Sequence, residues 1–203
     1  MIHGQHGSQA ATVRCIDDAL IGGQNKFSAT TAAHRPCDLD TWVAFCRVVG
    51  SKFLEPLSAI TSDFKTAYRQ VTSDPNQSHS WVIAMWCPLT CSVVFGAAAS
   101  QLFGSGTAPL NFSRYPSWCT WLVSILFLLP MEQCVDDMSS VERASAMLSG
   151  FHRWRSFASA CGWDVPDKKS PPPQRFILNL CAITDLRLFP DGPIELMRAV
   201  EKG

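Results

Sequence analysis

The chain has 203 residues, 47% apolar and 17% charged, a globular balance long enough to bury one sizeable core and too apolar for a disordered chain. Seventeen basic residues offset seventeen acidic ones, so no global basic field exists and any nucleic-acid role must rest on a local groove. Nine cysteines lack a CxxC pair, and Cys87-Pro-Leu-Thr-Cys91 with His79 upstream has no matching second half, so they read as reduced, mostly buried thiols of an intracellular (cytoplasmic or nuclear) protein.

Residues 1–11 are polar and Gly-rich, without the apolar stretch of a signal peptide, and read as a disordered leader. Thr12 to Ile16 suits a short strand ended by Asp17-Asp18, and Gly22-Gly23 marks a loop. Asp40 opens an amphipathic helix running to Val49, with apolar residues at 42, 43, 45, 46 and 49. Leu57 to Asp63 suits a strand that delivers Asp63 at its end. Trp81–Trp86 and Cys91–Phe95 form a hairpin around the turn at Pro88. Residues 107–129 read as mostly helical, with Pro109 in the first turn and a break at Pro116.

Met131 to Val135 follows as a strand with Asp136-Asp137 at its tip, and Val141 to Cys161 is the clearest amphipathic helix. Ser170-Pro-Pro-Pro173 closes that unit. Phe176–Leu180 and Ala182–Leu188 suit a last pair of strands, and Pro193–Val200 a short helix. Strands and helices mix without a βαβ rhythm, which points to an α+β fold with an antiparallel sheet and helices packed on one face. The apolar run at 118–131 is too short for a membrane span, and the run at 81–99 is interrupted by Pro88 and Thr90.

The chemistry-bearing feature is Cys134-Val-Asp-Asp137 at the end of an apolar run. Adjacent aspartates at the edge of a core repel one another and resist burial unless a cation sits between them; the bland reading is a solvated turn. Asp63 lies about seventy residues earlier, at a strand end. One strand-end carboxylate and a later strand-tip pair suit two-metal phosphoryl transfer, in which two ions are clamped between shared carboxylates.

These residues resemble reverse transcriptases of retroelements, those of tyrosine-recombinase and gypsy-like retrotransposons most closely. Asp63-Phe-Lys-Thr-Ala-Tyr-Arg-Gln is similar to that family's first catalytic motif. Gln101-Leu-Phe-Gly-Ser-Gly-Thr-Ala-Pro-Leu-Asn-Phe-Ser-Arg114 resembles the second, Cys134-Val-Asp-Asp137 the third, and Gly162-Trp-Asp-Val-Pro-Asp-Lys-Lys-Ser170 the fourth. Val13-Arg-Cys-Ile-Asp-Asp18 through Asn25 is similar to the fingers segment, and Phe176–Leu188 stands in the place of the primer-holding hairpin. Three places depart from the pattern: Cys134 replaces Tyr or Phe, Gln101-Leu102 replaces Leu-Pro, and Asn179-Leu180 replaces Leu-Gly.

The resemblance implies a polymerase palm with partial fingers over 12–190 and no complete thumb, with 191–203 a short helix beginning a truncated thumb connection. It implies an RNA-directed DNA polymerase that uses two Mg²⁺ ions, with Mn²⁺ as substitute, on a primed RNA or DNA template with deoxynucleoside triphosphates. The rest of a longer polyprotein is the further partner it implies. Asp63 and Asp136 would hold the metals, Asp137 less directly, and Lys169 would act as a charge stabiliser or proton donor at the leaving pyrophosphate. Tyr68 would exclude a 2′-hydroxyl, Phe103 and Gly104 would back the base, and Arg14 would reach the triphosphate. Each has an ordinary alternative: a core tyrosine, a turn before a helix, a solvated Lys168-Lys169 loop, and an arginine paired with Asp17 or Asp18. Arg153, Arg155, Lys168, Lys169 and Arg175 leave room for a basic face toward the template or primer backbone, with a solvated helix face as the commoner reading of such a run. A catalytically dead relic acting as an interaction module is the rival reading, and an α+β domain with incidental acids is a third.

Overall fold

The computed structural model describes residues 24–26, 38–76, 81–179 and 182–198. The leader at 1–11, the strand expected at Thr12–Ile16 and Arg14 lie outside the described residues. Those that are described fall into two compact units, Thr66–Phe112 with 24–26, and 38–65 with Ser113 onward.

The larger unit is built on a three-stranded antiparallel sheet of β1 (Leu57–Asp63), β4 (Glu132–Cys134) and β5 (Asp137–Arg143), in the order β1-β5-β4. Side chains alternate along a strand, so Leu57 and Ala59 face one way and Ser58, Ile60 and Ser62 the other. Helix α1 (Leu39–Lys52) covers the first face: Trp42, Cys46 and Val49 pack with Leu57, Ala59 and Val141 in one core cluster. Its first turn is capped by Asp38, whose carboxylate accepts from the Thr41 N–H at 2.9 Å, two residues before the expected start. Helix α3 (Ala144–Ala160) covers the opposite face, burying Met147, Phe151, Trp154 and Ala158. Helix α2 (Ala108–Phe127) lies beside α3, joined by the Phe127–Phe157 edge contact at 6.0 Å. Helices α2 and α3 thus share a face, while α1 takes the other, because Leu57 and Ala59 give one side of β1 an apolar surface to bury and Ile60 gives the other.

Three expectations are corrected. Pro116 lies inside α2 and not at a break. It is buried with Phe112, Cys119 and Val123 at helical spacing, and that burial offsets the hydrogen bond lost at a helix-interior proline. Val141–Arg143 belong to β5, because pairing Val141 with Ala59 and Arg143 with Leu57 outweighs their helical periodicity. The helix expected at 193–200 is instead β8 (Glu195–Arg198), which pairs with β7 (Ala182–Asp185) beyond β6 (Phe176–Asn179). Ile194 and Leu196 pack on the core while Glu195 is exposed, a period of two that favours a strand.

In the smaller unit, β2 (Val82–Cys87) and β3 (Ser92–Ala97) form the expected hairpin. It is apolar yet uncovered, with Trp86 63% and Phe95 73% exposed. Of the six described cysteines only Cys46 and Cys119 are buried, so the thiols are less buried than expected. Among the described residues no helix is long and apolar enough to cross a membrane.

Candidate active site

Strand β1 ends at Asp63, and its last register partner is Asp137, the first residue of β5. Paired residues on neighbouring antiparallel strands point to the same face, so these two carboxylates share one side of one sheet end. The β4–β5 turn is Val135-Asp136, which places Asp136 next to the pair. Val135 has φ 57°, a conformation costly for a β-branched residue. Gln133 restrains the turn: its amide donates to the Val135 carbonyl at 2.8 Å, and its Oε1 accepts from the Ser117 hydroxyl of α2 at 2.6 Å.

A buried polar network holds Asp63 from behind. The Trp154 indole N–H donates to Ser62 Oγ at 3.0 Å, and Ser62 Oγ lies 2.6 Å from Ser170 Oγ. Ser62 precedes Asp63 and Ser170 follows Lys169, so this contact brings the strand end and the 3₁₀ turn Asp167–Lys169 side by side. Lys169 Nζ donates to Asp63 Oδ2. Arg155 of α3 grips the same turn through Asp167 at 2.6 Å. Just beyond, Lys65 and Asp164 form an ion pair at 3.0 Å, and the Lys65 N–H donates to the Asp164 carbonyl at 3.0 Å.

The electrostatics follow from this grouping. Asp137 remains solvent accessible as a residue, yet partial desolvation of its carboxyl, then the negative charges of Asp136 and Asp63, push it up to about 6. Lys169 pulls it the other way. Among the described residues Asp63 Oδ1 is buried with no hydrogen-bond partner. Acid oxygens that repel one another and a buried unsatisfied oxygen fit a hard divalent cation in donor chemistry. Among the described residues, however, no three His, Cys, Asp or Glu side chains already converge as a ligand set. The Lys169 ammonium is the cation that Asp63 holds in this arrangement.

The remaining site candidates belong to the smaller unit. Tyr68, half-buried in the turn Ala67–Gln70, meets the rings of Phe103 at 5.3 Å and Phe112 at 5.4 Å, both edge-on. Phe103 is 54% exposed. The Gly104 carbonyl accepts from the Asn25 amide at 3.1 Å, and the Gly106 N–H donates to Asn25 Oδ1 at 2.7 Å. Asn25 therefore clamps the loop that presents Phe103 and Gly104.

Three of the five basic residues that could have formed a basic face make contacts within the protein. Arg155 binds Asp167 and Lys169 binds Asp63, while Arg175 donates to the carbonyls of Leu186, Arg187 and Phe189. Guanidinium groups satisfy backbone carbonyls as readily as phosphates, so a run of basic residues does not by itself declare a groove. Sequence reading also missed Ser62, Trp154, Ser170 and Gln133 as supports. Small polar residues carry no signal until the fold brings them together across a hundred positions of chain.

The crystal structure of a prototype foamy virus protease–reverse transcriptase (a CSH mutant) matches 84% of the chain with a TM-score of 0.56 at 15% identity. A foamy viral protease–reverse transcriptase (dRH) in complex with double-stranded DNA matches 91% with a TM-score of 0.63 at 13% identity. The fold is reverse-transcriptase-like. The chain spans 20% and 31% of those two longer chains. No family model and no curated protein matches the sequence.

Proposed function

We propose that this reverse-transcriptase-like fold is the fingers-and-palm portion of an RNA-directed DNA polymerase, related by its motifs to tyrosine-recombinase and gypsy-like retroelements. The observation that carries the reading is the register pair Asp63–Asp137 with Asp136 in the adjoining turn, backed by the unsatisfied Asp63 Oδ1. Asp63 and Asp136 would hold the metal ions, with Asp137 supporting them. Two Mg²⁺ or Mn²⁺ ions, when bound, supply charge stabilisation at the primer 3′ oxygen and at the leaving pyrophosphate.

The chain's own residues do the rest. The Ser62–Ser170 contact keeps Lys169 beside Asp63, ready to exchange that carboxylate for a phosphate oxygen. Tyr68, whose ring meets those of Phe103 and Phe112, is the residue assigned to exclude a ribose 2′-hydroxyl. Phe103 and Gly104 back the incoming base, and Arg14 contacts the triphosphate. Template, primer and deoxynucleotides are the substrates, and the rest of a polyprotein is the physiological partner.

One observation favours the rival, a relic that keeps the fold as a binding module: Asp63 is already neutralised by Lys169 and no three-ligand cluster converges among the described residues. Mn²⁺ relaxation titration of the wild type and Asp136→Asn, with primer extension alongside, separates the two. The polymerase reading expects Mn²⁺ binding that falls roughly tenfold or more in Asp136→Asn, together with deoxynucleotide incorporation lost in that variant. Equal Mn²⁺ binding by both chains assigns the protein to the relic.

A further inference from the structure

The loop that leaves α3 carries a second chemically competent group, remote in kind from the carboxylates. Cys161 is the C-terminal cap of α3 and is exposed, while Cys119 is buried on α2. Cys161 and Trp163 are the neighbours whose side chains act on the Cys119 thiol. Ring contacts fix the same approach independently. Tyr115, one helical turn before Cys119, lies 6.3 Å from Trp163, two residues past Cys161. Further along, Phe127 of α2 meets Phe157 of α3 at 6.0 Å. The backbone of this turn is fixed by two hydrogen bonds, Gly162 N–H to Ser159 carbonyl at 3.0 Å and Trp163 N–H to Ala158 carbonyl at 2.9 Å. Both sulfurs are therefore held on restrained backbone, one open to solvent and one behind it.

We propose that Cys119 and Cys161 are a redox modification site, closing to a reversible disulfide when the chain meets a hydroperoxide. The exposed Cys161 thiolate attacks the peroxide oxygen, breaking the O–O bond; the thiol becomes a sulfenic acid and the peroxide leaves as water or alcohol. Cys119 sulfur then attacks the Cys161 sulfur. An S–S bond forms, the S–O bond breaks, and the oxygen departs as water carrying the Cys119 proton. Overall two thiols lose two hydrogens and one hydroperoxide is reduced. Burial pushes the Cys119 thiol up to about 11, so its attack on the sulfenic acid quickens as pH rises.

The bond would enclose the β4–β5 turn and all of α3 in one covalent loop. It would also staple Trp163, whose ring packs on Phe64 at 5.0 Å, directly after Asp63. A cross-link closing a loop of this length restricts the unfolded chain and stabilises the fold. This inference is independent of the polymerase reading.

The test is hydrogen peroxide treatment of the purified full chain, followed by alkylation and peptide mapping without reduction. The expected product is a Cys119–Cys161 linked peptide two hydrogens lighter than its parts, reversed by dithiothreitol, with Tm raised about 5–10 °C in the oxidised chain. Cys161→Ser should abolish both the link and the redox-dependent Tm shift and leave Cys119 unoxidised. Because Cys161 is exposed, that variant keeps its fold, which the reduced-state Tm verifies. Arrest at sulfinic acid on Cys161, pairing of Cys161 with a different cysteine, or an unchanged Tm shift in Cys161→Ser would each overturn the proposal.

Discussion

Asp137 shows how a site residue can act against the stability of its own fold. Its ordinary value of 3.8 rises to about 6 in the folded chain, so the native state prefers the proton more than the unfolded state does. The stabilising effect of that proton is complete below the unfolded value and is lost as pH rises through the folded one. Above that window the chain carries a partly desolvated charge facing Asp136 and Asp63. In metal-free buffer Asp137→Asn should therefore melt above the wild type at about pH 7.5, by roughly 1–3 °C after solvent screening, with the gap closing by about pH 4. A gap that stays constant across this range, followed by thermal denaturation, would remove Asp137 as its source. The proposed divalent cation would relieve the same repulsion, so adding Mg²⁺ should narrow the gap at neutral pH.

At the scale of elements, the site depends on how helices end and how strands register. Helix α3 stops in a two-bond motif at Gly162, whose φ of 81° suits a residue without a Cβ. Space is not the constraint there, since a Cβ on Gly162 would meet nothing within 4 Å among the described residues. Gly162→Ala should thus cost about 1 kcal/mol through backbone strain alone, measured by urea denaturation with an unchanged m-value. A neutral result would mean the turn relaxes, and Trp163 with it. Register acts at the other end: with Asp63 opposite Asp137, a slip of one residue would turn one carboxylate to the far face of the sheet. The burial of Ile60, Met138 and Val141 fixes that register, so the core determines where the acids stand.

Over the whole molecule stability is unevenly distributed. Met138 and Val141 of β5 are fully buried, whereas the β2–β3 hairpin exposes Trp86, Phe95 and Met85 across both of its faces. A two-stranded ribbon without a covering layer has little apolar burial to oppose opening. Hydrogen exchange followed by mass spectrometry should find the amides of β2 and β3 exchanging at least about a hundredfold faster than those of β1 and β5. Equal protection in the two sets would mean that the hairpin opens only with the whole fold.

Sequence alone determined most of what is local. The β1 boundaries from Leu57 to Asp63, the hairpin around Pro88 and the α+β class all follow from side-chain periodicity and turn chemistry, which neighbouring residues decide. The ordered motifs likewise pointed to the reverse-transcriptase-like fold. Long-range pairing decided the rest. Val141–Arg143 became strand because β1 offered a partner, 195–198 became strand because β7 did, and Pro116 stayed helical because its face is buried. Only the folded chain could show that Ser62, Trp154 and Ser170 meet behind Asp63, or that Asn25 clamps the loop at Gly104. Nor could composition reveal that the basic residues near α3 bind carboxylates and carbonyls of the protein itself. Periodicity is written in neighbouring residues, whereas the partner of a polar side chain is set by which distant segment the core brings beside it.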